Sequence, residues 1–249
     1  MLPAGYLTPV EQRPNPDQER YKVFHALRNA DLPCVVFFED AIAFHGVPTC
    51  LFDLYLLVND IQAAAEVLAK DAAWVHTEER KNKIGNSTVD VPQIRLGPPS
   101  DSSETATLFR VTHVVLLRAA DWFYDLHDAE ATLFPPLVPL LNAFYRVLFE
   151  GTQKQRRWTS LQLSYLHGHT LNWRNWKDQP RISLKELAEP ARPVHQDYRD
   201  GYSFAEAMRR QTLVRDGKAE PGRLGTDFPP NPDYESRYGV LPGPWSWHP

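Results

Sequence analysis

Cysteine is almost missing from this chain, with two in 249 residues, Cys34 and Cys50. Two thiols cannot build a disulfide framework, and they lack the further Cys or His partners of a structural zinc site. A reducing, cytoplasmic compartment is therefore expected. Glycine is also scarce, at 12 residues, and no glycine-rich phosphate loop is present. Lys81, Lys83 and Gly85 match no Walker spacing. The absence of a Gly-x-Ser-x-Gly elbow argues against a serine hydrolase. No apolar run approaches the roughly 20 residues that cross a bilayer, and no basic-then-apolar leader opens the chain, so no membrane partner is expected. There is no internal repeat.

What is present is ordinary globular composition, 43% hydrophobic and 23% charged, with 22 prolines concentrated toward the two ends. This excludes wholesale disorder. The net charge of −4 hides two halves of opposite sign. Residues 1–150 carry 12 Lys/Arg against 20 Asp/Glu, whereas residues 151–249 carry 15 against 11. Four parts follow: an N-terminal arm over 1–19, an α/β core over 20–134, a helical domain over 135–216, and a Pro-rich tail over 217–249.

Periodicity predicts a helix over 16–29, ended by Pro33, and then a continuous apolar strand over 34–38 of the kind covered on both faces. A short helix over 39–45 leads to a second buried strand over 51–58. Asp60 is placed to cap a helix over 61–70. Short strands are expected over 74–77, 88–96, 106–111 and 113–118, with a polar, basic excursion over 78–87. A helix starts at 119. From Pro135 the pattern is helical, over 137–149, 153–166, 183–188 and 203–214, with Ser183 and Glu186 at capping-box spacing. The fold class is α+β, a twisted mixed β-sheet flanked by helices and followed by a helical segment and a Pro-rich tail.

Chemistry is most visible between Cys34 and Val58. The first strand runs into Glu39-Asp40, and the second carries Asp53 with Tyr55 two residues on, so that Asp53 and Tyr55 share a face. A carboxylate within an apolar strand is costly unless paired or bound to a cation. Asp53 is therefore either functional or locked to a basic residue, with Arg95, Arg110 and Arg118 the available partners. In the first case Glu39 and Asp53 act as anionic groups or general base, with Tyr55 as proton donor. That set suits an amine, guanidine or hydroxyl ligand better than a phosphate, and Asp40, Asp90, Arg95 and Arg118 are candidate substrate-binding residues.

The segments Val36-Phe37-Phe38-Glu39-Asp40-Ala41, Gly46-Val47-Pro48-Thr49 and Phe52-Asp53-Leu54-Tyr55-Leu56-Leu57-Val58 resemble the nucleotidyltransferase fold, in particular the uncharacterised fungal proteins with a degenerate core of that type. In active members a strand leads into a Gly-Ser turn and helix, and the next strand bears Asp-x-Asp or Asp-x-Glu. Phe38-Glu39 stands where the resemblance implies Gly-Ser, and Tyr55 where it implies the second metal carboxylate. Asp53 matches the first acid and is the implied metal ligand, with Mg²⁺ the cofactor the family would bring; Asp90 is a candidate third acid. The reading is a nucleotidyltransferase-like protein that has lost the full metal triad and binds a small, cationic ligand at Glu39, Asp53 and Tyr55, as a repurposed transferase or a pseudoenzyme. An active Mg²⁺-dependent nucleotidyltransferase is the first alternative.

A second alternative rests on residues 154–181. Lys154, Arg156, Arg157, Arg174 and Lys177 are interleaved there with Trp158, Tyr165, Trp173 and Trp176. Basic and aromatic side chains in alternation grip RNA through phosphate contacts and stacking. The bland counterpart is a solvated helix face with its rings turned inward. An RNA-handling enzyme, for example one drawing on aminoacyl-tRNA, would use this face.

Overall fold

The computed structural model describes residues 14–71, 73–85, 87–98, 113–126, 132–171, 182–189 and 191–199. Beyond these it describes 206, 209–210, 213–214 and 216–219. The expected strand over 106–111, most of the expected helix over 203–214, nearly all of the Pro-rich tail, and Arg110, Trp173, Arg174, Trp176 and Lys177 lie outside the described residues.

One helical turn at Glu19–Tyr21 runs into α1 (Lys22–Asn29). The edge strand β1 (Cys34–Phe37) follows, then α2 (Glu39–Phe44), β2 (Leu54–Val58) and α3 (Ile61–Asp71). Asp60 caps α3 as expected, its carboxylate accepting from the N–H groups of Gln62 and Ala63 at 2.9 and 3.1 Å. Next come β3 (Val75–His76), a small hairpin of β4 (Lys83–Ile84) and β5 (Ser87–Thr88), β6 (Gln93–Gly97) and β7 (Val114–Arg118). The expected helix at 119 is a single turn, Ala119–Trp122. The helical half contributes α4 (Leu137–Glu150), α5 (Gln153–Tyr165) and α6 (Ala191–Arg199). A π-helical turn, Leu166–Thr170, extends α5.

The sheet is mixed, in the order β1-β2-β7-β6-β3. β1 is antiparallel to β2, β2 parallel to β7, and β6 antiparallel to both β7 and β3. β1, β2 and β7 up to Leu117 are buried and largely apolar because both faces are covered, whereas β6 carries Gln93 and Arg95. Alternate residues sort into two cores. Val36, Leu54, Leu56, Val114 and Leu116 pack with α1 and α3. Phe37, Tyr55, Leu57, Val115 and Leu117 pack with α2, α4 and α5. The result is a helix–sheet–helix sandwich.

Several expectations are corrected. β2 begins at Leu54, not Leu51, so Asp53 sits just before the strand. The excursion over 78–87 contains half a hairpin. Residues 183–188 form turns closed by the Ser183–Glu186 pair (3.0 Å) and not a helix, whereas α6 arises where none was expected. Capping-box geometry is complete at Thr152–Gln155, at the start of α5. Among the described residues no helix is long and apolar enough to cross a membrane.

Candidate functional site

The site assembles on the sheet face that meets α4 and α5. Strand register puts Phe37, Tyr55, Val115 and Arg95 in one transverse row across β1, β2, β7 and β6. Residues opposite each other share a face, so Tyr55 and Arg95 emerge on the same side, with Asp53 just beyond the end of β2.

Asp53 is 1% exposed and resolves to the paired alternative. Arg95 Nη1 donates to its Oδ2 at 2.6 Å, Arg80 Nη1 lies 3.5 Å from the same oxygen, and His113 Nδ1 is 3.3 Å from Oδ1. His113 Nε2 in turn lies 3.5 Å from the exposed carboxylate of Glu79. Of the two described arginines among the three offered by the sequence, Arg95 is the partner. Arg118 is half exposed and pairs with Asp121 at 2.8 and 3.0 Å. Arg80 and His113 were not anticipated; the basic excursion carrying Arg80 was legible, but not that it folds back over β2.

Asp40 is also paired. Its carboxylate accepts from Arg20 Nε and Nη2 at 2.6 and 2.9 Å and from the Tyr21 hydroxyl at 2.8 Å. Arg20 donates further to the carbonyls of Phe52 and Asp53, both at 3.1 Å. This buried guanidinium ties the chain before α1 to the α2 turn and the approach to β2. Asp40 therefore holds structure together and does not face a ligand.

Glu39 differs from both neighbouring acids. It is 9% exposed, and its Oε2 is buried without a hydrogen-bond partner. Burial pushes its carboxyl up to about 8, helped by the nearby charges of Asp40 and Asp53, with its own backbone N–H and Arg20 pulling the other way. A carboxyl in that state is mainly protonated at neutral pH. Tyr55, 1% exposed, accepts the Gly85 N–H at 2.7 Å and keeps its own proton for a further partner. Its hydroxyl is held well above the usual phenol range, by burial first and then by Glu39.

The turn between β1 and α2 explains how Glu39 comes to lie there. Phe38 adopts φ 53°, ψ −124°, a conformation that L-residues rarely occupy and glycine tolerates. Its fully buried ring makes edge contacts with Trp122 (4.7 Å), Tyr55 (5.4 Å) and Trp158 (6.0 Å) and stacks with Phe144 (6.2 Å). Across from it the β4–β5 hairpin closes over the row. Arg95 Nη2 donates to the Lys83 carbonyl at 2.7 Å and Arg80 Nη2 to the Gly85 carbonyl at 2.5 Å. Gly85, at φ +53°, lies against the Trp158 ring so closely that an added Cβ would fall 2.4 Å from it.

The remaining sequence-predicted residues lie elsewhere. Asp90 is exposed and paired with Lys154 at 2.5 Å, so one proposed substrate acid and one proposed nucleic-acid base neutralise each other. Arg156 donates to the Gly151 carbonyl at 2.7 Å, capping the C-terminal end of α4, while Arg157 is exposed. Trp158 is turned into the core, as the bland reading of this stretch expects.

A divalent ion does not fit this donor set. Both oxygens of Asp53 are engaged by cationic or N–H-bearing side chains, Tyr55 is a neutral phenol, and Asp90 is remote in its own ion pair. Among the described residues no group of three or more His, Cys, Asp and Glu is arranged to hold a metal. Mg²⁺ needs several oxygen ligands, carboxylates foremost. No family model matches the chain, nor does any curated protein or solved structure.

Proposed function

We propose that the chain is a nucleotidyltransferase-like protein that has lost the metal chemistry of that fold and binds a small ligand at Glu39 and Tyr55. The observation carrying this reading is the Phe38–Glu39 turn. At the position where the resemblance implies glycine, Phe38 keeps a glycine-like backbone while its ring fills the adjoining space with aromatic contacts. At the position where it implies the phosphate-cradling serine stands a buried carboxyl with an unused oxygen. A triphosphate meeting that carboxyl is repelled or left facing a neutral acid. A ligand bearing an ammonium, guanidinium or hydroxyl group gains a hydrogen bond there, and Tyr55 offers a second. The pairing of Asp53 with Arg95 supports the loss of metal chemistry, because the resemblance assigns the metal to that acid.

A thermal-shift screen tests the reading. Ligands that bind only the folded state raise its melting temperature. Small amines should stabilise the wild-type protein and not Glu39→Gln, and ATP should stabilise neither, with or without Mg²⁺. Stabilisation by ATP that requires Mg²⁺ would restore the active nucleotidyltransferase in place of this reading.

A further inference from the structure

Glu39 is not alone in having unused hydrogen-bonding capacity. Trp122 Nε1, Trp158 Nε1, Thr159 Oγ1 and Gln162 Oε1 are likewise buried with no hydrogen-bond partner. Native interiors leave few such groups, and those that remain call for an explanation site by site. Two of them flank the turn that carries Glu39, and the other two follow on the helix that bears Trp158. Trp122 and Trp158 both touch the ring of Phe38, the residue before Glu39. Trp158 covers Gly85, whose N–H is bound by Tyr55. Thr159 follows Trp158 in sequence, and Gln162 lies one helical turn further on, so that Gln155, Trp158, Thr159 and Gln162 share one face of α5. Those residues are buried, α5 packs against both α4 and α2, and Gln155 Nε2 fastens the helix to the Ala119–Trp122 turn through the Asp121 carbonyl at 2.7 Å.

The chemistry of the groups is complementary to one kind of molecule. Two indole N–H groups seek an acceptor, the Gln162 amide oxygen seeks a donor, Thr159 can serve as either, and Glu39 has an unpartnered oxygen that a cation would hold as the carboxylate on loss of its proton. Aromatic faces beside a carboxylate favour ammonium and guanidinium groups over water-like neutral ones. We infer that the seam between α5 and the Phe38–Glu39 turn is the binding site of a small organic cation that also carries a hydroxyl or carboxylate, of the amino-alcohol or amino-acid class. Its cationic end meets Glu39 and its acceptor end the indole N–H groups. The inference rests on the reading that Glu39 anchors the ligand, and it adds α5 as the second wall. In this arrangement the ligand joins the sheet half to the helical half.

The experiment uses the full chain and four probes, two cations and a neutral counterpart of each: ethanolamine with ethylene glycol, and L-arginine with L-citrulline. Melting temperature and calorimetric titration are measured for the wild type and for Glu39→Gln, Thr159→Val and Gln162→Leu. At least one cation should raise the wild-type melting temperature by roughly 3 °C near saturation, with its neutral counterpart inert. Thr159→Val and Gln162→Leu should melt higher than the wild type when free, because each removes an unpaired buried group, yet bind that cation at least about tenfold more weakly. Failure of both cations to bind the wild type overturns the inference. Binding that is lost in Glu39→Gln but intact in both α5 variants removes α5 from the site and leaves the Glu39 reading standing. Binding intact in Glu39→Gln removes both.

Discussion

Three acids within fifteen residues meet two different fates, and partner geometry decides which. Asp40 and Asp53 are paired with guanidinium groups; Glu39 is buried with an oxygen that has no hydrogen-bond partner. Replacing Asp53 by Asn strands Arg95 in the interior as an unpaired charge and should cost about 3–5 kcal/mol in urea unfolding. Tyr55→Phe removes only the acceptor of the Gly85 N–H and should cost about 1–2 kcal/mol. Glu39 carries a distinctive pH signature. Its folded-state value of about 8 lies above the ordinary carboxyl value of 4.5, so between those limits the folded chain holds a proton that the unfolded chain releases. Stability from this group is complete below pH 4.5 and falls as pH rises through 8, by at most about 5 kcal/mol. Glu39→Gln should therefore unfold at higher urea than the wild type at pH 8.5, and the gap should close by pH 5. Much of this residue chemistry was legible in the sequence. An acid beside an apolar strand announces itself, and Arg95 was among its possible partners. That Glu39 and Asp53 would part company was not legible, because it depends on Arg80 and Arg95 converging from 27 and 42 residues downstream.

At the scale of elements, the β1–α2 turn and the β4–β5 hairpin hold the site between them. The turn makes an unusual prediction about small residues. Truncating Phe38 opens a cavity in either case, at about 3–5 kcal/mol for alanine. Glycine, although smaller, should be the less damaging replacement by about 1 kcal/mol, since it alone accepts φ 53° without strain. Alanine proving the better replacement would mean that the turn relaxes when the ring is removed. The hairpin depends on Gly85, because a Cβ at that position collides with the Trp158 ring. Gly85→Ala should accelerate amide hydrogen exchange over residues 83–88 and leave β2 and β7 protected. The buried strands were readable as apolar runs, as was the Asp60 cap. The hairpin was not, since strands of two residues each are too short to show alternation, and α6 was hidden by its own polar composition. For Phe38 the signal came through the resemblance alone, which implies glycine at that position; nothing in a Phe-Phe pair itself indicates that the second must adopt a glycine-like backbone.

At the scale of the whole molecule, the sheet is one continuous surface to which α1 and α3 on one side and α4 and α5 on the other contribute separate cores. The helical half has its own titrating centre. Tyr145 and His167 Nε2 are 2.8 Å apart, and the His167 ring lies 5.3 Å from that of His195. Burial, and then His195, hold His167 well below its ordinary 6.5, so it stays neutral where the unfolded chain takes up a proton. That contribution is complete above pH 6.5 and lost as pH falls below it, at about 1.4 kcal/mol per pH unit. It opposes the Glu39 slope between pH 4.5 and 6.5, so wild-type stability should change little across that interval and decline above it. In His167→Gln the acid-side term disappears, and stability should keep rising down to about pH 5. The layer order and the mixed sheet followed from patterning, whereas the division of the basic stretch into an ion pair, a helix cap and a core tryptophan required the packing of α5 against β5 and α2.

The central claim is a buried carboxyl left over for a ligand after its neighbours have been paired. Carbon-13 NMR of the glutamate side-chain carboxyls, followed from pH 4 to 9.5 in the full chain, addresses it directly. One resonance should titrate near pH 8, be missing from Glu39→Gln, and shift its midpoint downward when a bound cation favours the carboxylate. A spectrum in which every glutamate titrates below pH 6 would contradict the account.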